Sequence, residues 1–68
     1  MSIVKVIEVI GTSDKSFDDA TQNVLIEASK SVKNIESVYI KEMKAKVKDN
    51  QYVSYGVNAK VSFVVGEI

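Results

Sequence analysis

Val53, Tyr55, Val57, Ala59, Val61, Phe63 and Val65 take every odd position over 13 residues near the end of the chain. A period of two cannot trace one face of a helix, whose period is 3.6. Tyr52 to Val65 must therefore be a single long strand with one covered face. The other face holds Tyr52, Ser54, Gly56, Asn58, Lys60, Ser62 and Val64. It is polar but carries one charge, fewer than a freely solvated face usually has. A second subunit is expected to cover part of it.

A helix is the natural cover for the odd face, and the chain offers one. Phe17, Ala20, Thr21, Val24, Ala28 and Val32 fall on one stripe, with Leu25 and Ile35 at its margin, which predicts a helix from Phe17 to about Lys33. Ser16 is placed to accept from the N–H of Asp19, and Asp19 to reach back in a short capping box. Asp18 and Asp19 suit the positive end of the helix dipole, and Lys30 and Lys33 its negative end. Asn34 is the expected stop.

The remaining segments read as strands. Ser2 to Ile10 is β-branched almost throughout, with Ile3, Ile7 and Val9 on one face and Val4, Val6 and Ile10 on the other. Gly11 ends that apolar run, and a polar turn follows it. Glu36 to Lys48 changes phase: Val38 and Ile40 are even, whereas Met43, Ala45 and Val47 are odd. One extra residue near Lys41-Glu42, a β-bulge or sharp bend, reconciles them. Lys48-Asp49-Asn50-Gln51 is the hairpin turn between the second and third strands. The expected fold is α+β, in the order β-α-β-β. One domain over residues 1–68 forms a three-stranded antiparallel sheet curled around one helix.

Composition narrows the chemistry. The 68 residues include no Cys and no His, which removes disulfides, zinc sites, thiolate chemistry and haem ligation. A domain of this size buries only roughly 60% of its unfolded surface, so subunit assembly is the staple left to it. Nine Lys balance nine acids and Arg is absent. Neither nucleic acid nor a membrane surface is implied as a partner, and any anion must be held by Lys or backbone N–H groups. No segment approaches the roughly 20 apolar residues of a membrane-spanning helix, and the N-terminus lacks the pattern of a signal peptide. A cytoplasmic, soluble protein is expected.

The strand-turn-helix junction carries a family resemblance. Gly11-Thr12-Ser13 followed by Phe17 resembles the corresponding turn of the dodecins. Lys30-Ser31-Val32-Lys33-Asn34-Ile35 is similar to that family's helix end. Lys41-Glu42-Met43 and Val57-Asn58-Ala59-Lys60-Val61-Ser62-Phe63 resemble its second and third strands. The resemblance implies a hollow homo-dodecamer that stores flavin. Paired isoalloxazine rings stack between tryptophans, and a glutamine hydrogen-bonds the ring edge. Here the tryptophan position is Ser37 and the glutamine position is Gly56, while a basic residue near the ligand phosphate corresponds to Lys44. The chain contains no Trp.

Candidate ligand residues are therefore Ser37, Tyr39, Lys44 and Gly56. Tyr39 shares a strand face with Ser37 and offers a replacement stacking surface, or else an interface tyrosine. Tyr52, on the lightly charged face near a turn, is a weaker candidate, and Tyr55 reads as core. Lys44, Lys46 and Lys48 share a face and suit a phosphate-bearing ligand such as FMN or coenzyme A; the plainer reading is a solvated row that guards an edge. Asp14, Asp18, Asp19 and Asp49-Asn50 are too few in one chain for calcium, which wants six or more oxygens, unless a symmetry mate completes the site. Acid-base catalysis has no His, Cys or Arg to use, and Ser13 and Ser16 are explained by turn and cap. The expected function is non-enzymatic binding and storage of riboflavin or FMN. The alternative is a shell without flavin that holds another ligand or calcium, or is purely structural.

Overall fold

The alternating segment becomes the central strand. A computed structural model describes residues 3–66. It contains β1 (Ile3–Ser13), α1 (Phe17–Ser29), β2 (Ile35–Lys48) and β3 (Gln51–Val65). The three strands form one antiparallel sheet in the order β1-β3-β2. The β-α-β-β architecture is the expected one, with β1 and β2 as the two edges. Ser2, the expected first residue of β1, lies outside the described residues. Among the described residues no helix is long and apolar enough to cross a membrane.

β1 runs past Gly11 to Ser13 rather than ending at Ile10, because Gly11, Thr12 and Ser13 pair with Val57, Gly56 and Tyr55. The turn is correspondingly short. Ser16 is extended and its hydroxyl accepts from the Asp19 N–H at 3.0 Å, as a cap should. The Asp19 carboxylate does not return to Ser16. It accepts from Ser13 Oγ at 2.6 Å, and Ser13 Oγ accepts the Lys15 N–H at 2.9 Å. Ser16→Ala removes the cap and is expected to lower stability by about 1 kcal/mol, read by thermal unfolding at fixed protein concentration.

The helix ends at Ser29, short of Lys33. Its last turn tightens: Lys30 N–H reaches Glu27 O at 3.3 Å, and the N–H groups of Ser31 and Val32 both bond Ala28 O at 3.0 Å. The reason lies downstream. Ile35 must already pair with Phe63, so the chain has to reverse first, and Asn34 makes that reversal at φ 60°. Asn34 is thus a stop for the connection rather than for the helix, and Lys33 lies outside α1.

Ala20, Val24 and Ala28 face Val57, Ala59 and Val61, and these six residues are the fully enclosed core. The side chains are small because the layers are close. A Cβ on Gly11 would lie 2.5 Å from Ala20 O, 2.7 Å from Val24 Cγ2 and 2.8 Å from Val24 N. The helix rests directly on the bare backbone of β1.

That helix is only 13 residues, about 20 Å, while the whole body measures 53 × 18 × 14 Å. It packs on β1 and β3 and barely touches β2. The β2–β3 hairpin therefore projects beyond it. Met43, Val47 and Tyr52 stay 51%, 60% and 67% exposed on that arm, an apolar surface that a lone subunit leaves to water.

The phase change in β2 is a bulge, as expected: the register skips Lys41 between Ile40↔Ala59 and Glu42↔Asn58. Two more shifts were not legible. One passes over Glu36. The other passes over Val53, because Lys46 pairs with Ser54 and Val47 with Tyr52. This last shift corrects two assignments. Val53 leaves the helix-side row and is exposed. Tyr52 joins that row, with its ring 6.1 Å from that of Tyr55, which in turn meets Phe17 edge-on at 5.0 Å. The hairpin turn is as expected, with Asp49 at φ 53° and Asn50 at φ 63°, the left-handed pair of a two-residue loop.

Candidate functional site

The sheet face turned away from the helix is assembled in rows across the three strands. Thr12, Gly56 and Lys44 form one row, and Ile10, Asn58 and Glu42 the next. Glu8, Lys60 and Tyr39 follow, then Val6, Ser62 and Ser37. Each row takes its residues from the even positions of β1 and β3. The bulge at Lys41 restores Glu42, Lys44 and Lys46 to the same side.

A depression opens in the first two rows. One hollow of about 50 Å³ is lined by Ile10, Glu42, Lys44, Gly56, Val57 and Asn58. A broader one of about 270 Å³ shares Ile10, Lys44 and Gly56 and adds Thr12, Lys46 and Ser54. Gly56 is the floor common to both. No backbone demand explains a glycine there. Its φ is not left-handed, and a Cβ would meet nothing nearer than Lys44 O at 3.7 Å and Lys44 Cγ at 3.9 Å. The missing side chain leaves flat backbone beside the exposed Ile10, with two lysines at the rim. Such a surface suits a planar ring on the floor and an anionic group at the rim.

The four candidate residues separate into two pairs. Lys44 and Gly56 are directly opposed. Ser37 and Tyr39 belong to the far rows, opposite Ser62 and Lys60. Ser62 is about 20 Å along β3 from Gly56 at the usual strand rise. Between the two pairs the Lys41 ammonium crosses β3 to the Glu8 carboxylate at 3.6 Å. Both groups are about half exposed, so the pair marks a boundary more than it stabilises one. Tyr39 is 66% exposed on this face. Tyr52, by contrast, has moved to the helix side and is not part of it. Lys46 lines the broader hollow, and Lys48 lies at the hairpin end, where it pairs with Gln51.

Ile10, Thr12, Glu42, Ser54 and Asn58 were not singled out by sequence. Ile10 had a signal: it is a large apolar residue on the face of an edge strand that the helix cannot cover. Asn58 had none, since its environment depends on the register of both neighbours. Its Oδ1 is sealed from solvent without a hydrogen-bond donor, the kind of orphan that a ligand or partner group satisfies. Asn58 stands beside the bare floor at Gly56, with Lys44 and Lys46 as the cations nearest to it. Among the described residues no three acidic side chains gather closely enough to hold a metal ion.

The family model for dodecins matches residues 3–66. The chain belongs to the dodecin family. Dodecins are small binding proteins rather than enzymes in general, flavins are the ligands known for the family, and a dodecameric shell is consistent with membership. The fold is similar to that of the dodecin from Streptomyces davaonensis, at 27% identity and a TM-score of 0.91, with 97% of each chain covered. The Streptomyces coelicolor dodecin matches at 25% identity and a TM-score of 0.90, over 98% of this chain and 96% of that one. A third relative is the calcium dodecin of Mycobacterium tuberculosis, described as a calcium-chelating immunodominant antigen with a novel calcium-binding site. It shares 31% identity at a TM-score of 0.78, covering 90% of this chain and 87% of its own. No curated protein sequence matches the chain at a significant level.

Proposed function

We propose that this dodecin is a non-enzymatic shell, built from twelve copies, that sequesters a flavin-type ligand, riboflavin or FMN, between subunits. The observation that carries the reading is the opposition of Lys44 and Gly56 over the depression. The resemblance gives these two positions to the ligand's phosphate and ring edge, and here both line the same two hollows. The ring lies on the bare backbone at Gly56 against Ile10, and the phosphate of FMN meets Lys44 and Lys46. Ser37 and Tyr39 are too far along the sheet to reach the same ring from the same chain. They serve from a neighbouring subunit, with Tyr39 supplying the aromatic surface that Ser37 lacks. Retention comes from burial and stacking. The chain needs no reacting group for that.

The test is a titration of the purified assembly with riboflavin and FMN, following flavin fluorescence. Saturable quenching at micromolar concentrations is expected, since a ring held against tyrosine loses its emission. FMN should bind more tightly than riboflavin at low salt and lose that advantage as salt rises. Coenzyme A, whose phosphates the same lysines would meet, is run as competitor. Unchanged fluorescence for both flavins would sink the flavin reading.

A further inference from the structure

Asn58 stands two residues beyond Gly56 on the same face of β3, and its Oδ1 is buried without a donor. Such atoms are rarely left unpaired in folded proteins, and the surroundings do not remedy this one. Ile10 has nothing to donate. Glu42, directly opposite, is an acceptor when ionised. The backbone of β3 is engaged on both sides by the ladders to β1 and β2. Lys44, the remaining polar side chain of the hollow, does not hydrogen-bond it either, so Oδ1 is left without a donor. The side chains that line the hollow beside Asn58 belong to exposed residues, Ile10, Glu42 and Lys44, so they can shift without disturbing the core. Next to Asn58 lies the flat floor of Gly56, where a ring can rest.

We infer that Asn58, and not position 56, reads the edge of the bound ring. Its Oδ1 accepts from a ring N–H of a planar heterocycle laid on Gly56. The ligand class is that of heterocycles with an imide or lactam N–H, which isoalloxazine presents at N3. The family's glutamine is absent at Gly56, and its hydrogen bond is supplied from two residues along the strand, on the same face. This inference rests on the flavin-type reading above.

The experiment compares riboflavin with N3-methylriboflavin on the wild-type assembly and on Asn58→Leu and Asn58→Asp. One hydrogen bond to a sealed amide predicts that methylation weakens wild-type binding about tenfold. Asn58→Leu should bind both flavins equally, and Asn58→Asp, which keeps an acceptor, should still discriminate. Should Asn58→Leu fail to assemble by light scattering, the Asn58→Asp chain and the wild-type methylation ratio decide the question. Equal binding of the two flavins by wild-type protein overturns the role of Asn58 while leaving flavin binding intact. So does an undiminished methylation ratio in Asn58→Leu. If riboflavin does not bind wild-type protein at all, the flavin reading fails first, and this inference fails with it.

Discussion

Gly11→Ala is expected to unfold the subunit or prevent its assembly. The added methyl carbon would stand 2.5 Å from Ala20 O and 2.8 Å from Val24 N, both helix backbone, and 2.7 Å from Val24 Cγ2. None of these is the flexible end of a long side chain. Relief requires lifting α1 off β1, which opens the Ala20/Val24 layer to water. Overpacking of this kind costs about 1–3 kcal/mol and sometimes more. A fold of this size has about 3–10 kcal/mol in all, by the usual 0.05–0.15 kcal/mol per residue. Circular dichroism melts at fixed protein concentration, with light scattering for mass, provide the measurement. Gly56→Ala is the control, since its Cβ would have ordinary contacts at 3.7 and 3.9 Å. Its melting point should move by no more than a surface substitution allows, about 0.5 kcal/mol. If the two variants melt alike, the close approach of helix to strand is not what demands glycine at position 11.

The contrast between the two glycines also explains what the sequence could and could not disclose. Elements with a strong local period were legible: the alternation from Val57 to Phe63, the stripe of Ala20, Val24 and Ala28, the Ser16 cap and the bulge at Lys41 each leave a pattern within one segment. Boundaries set by pairing were not. β1 continues to Ser13 because β3 offers partners there, and α1 stops at Ser29 because Ile35 is due opposite Phe63. The Val53 bulge left no phase change to see, since the arm exposes both Val53 and Tyr52 and apolar residues stand on either side of the shift. Plain alternation therefore puts Tyr52 on the wrong face. The candidate site had the same limit. Lys44 and Gly56 emerged from the resemblance, whereas Asn58 became visible only when Ile10 and Glu42 were brought alongside it from two other strands. A single strand pattern carries no information about which neighbour fails to donate a hydrogen bond.

Ser37→Trp is expected to tighten riboflavin binding by about tenfold or more. Ser37 is exposed, opposite Ser62 on the face turned away from the helix, so the fold has room for a large side chain there, and Trp is well suited to a strand. Each aromatic pair adds about 0.5–1.5 kcal/mol beyond its buried area. In a sandwich built from symmetry-related copies the gain recurs on each side. Fluorescence titration gives the affinity, and deeper quenching at saturation reports that indole lies against the ring. Adding Gly56→Gln to Ser37→Trp tests whether a second ring-edge contact still helps. If Asn58 already occupies that edge, the added glutamine should contribute little, and less in the wild-type background than in Asn58→Leu. Tyr39→Ala sets the opposite bound: in the wild-type background it should weaken binding, and beside Ser37→Trp its effect should shrink, because indole then takes over the face that Tyr39 covers. An assembled Ser37→Trp protein with unchanged riboflavin affinity would mean that the ring does not approach this part of the sheet. The ligand would then be confined to the Gly56 hollow, held by Ile10, Asn58 and the two lysines without aromatic help.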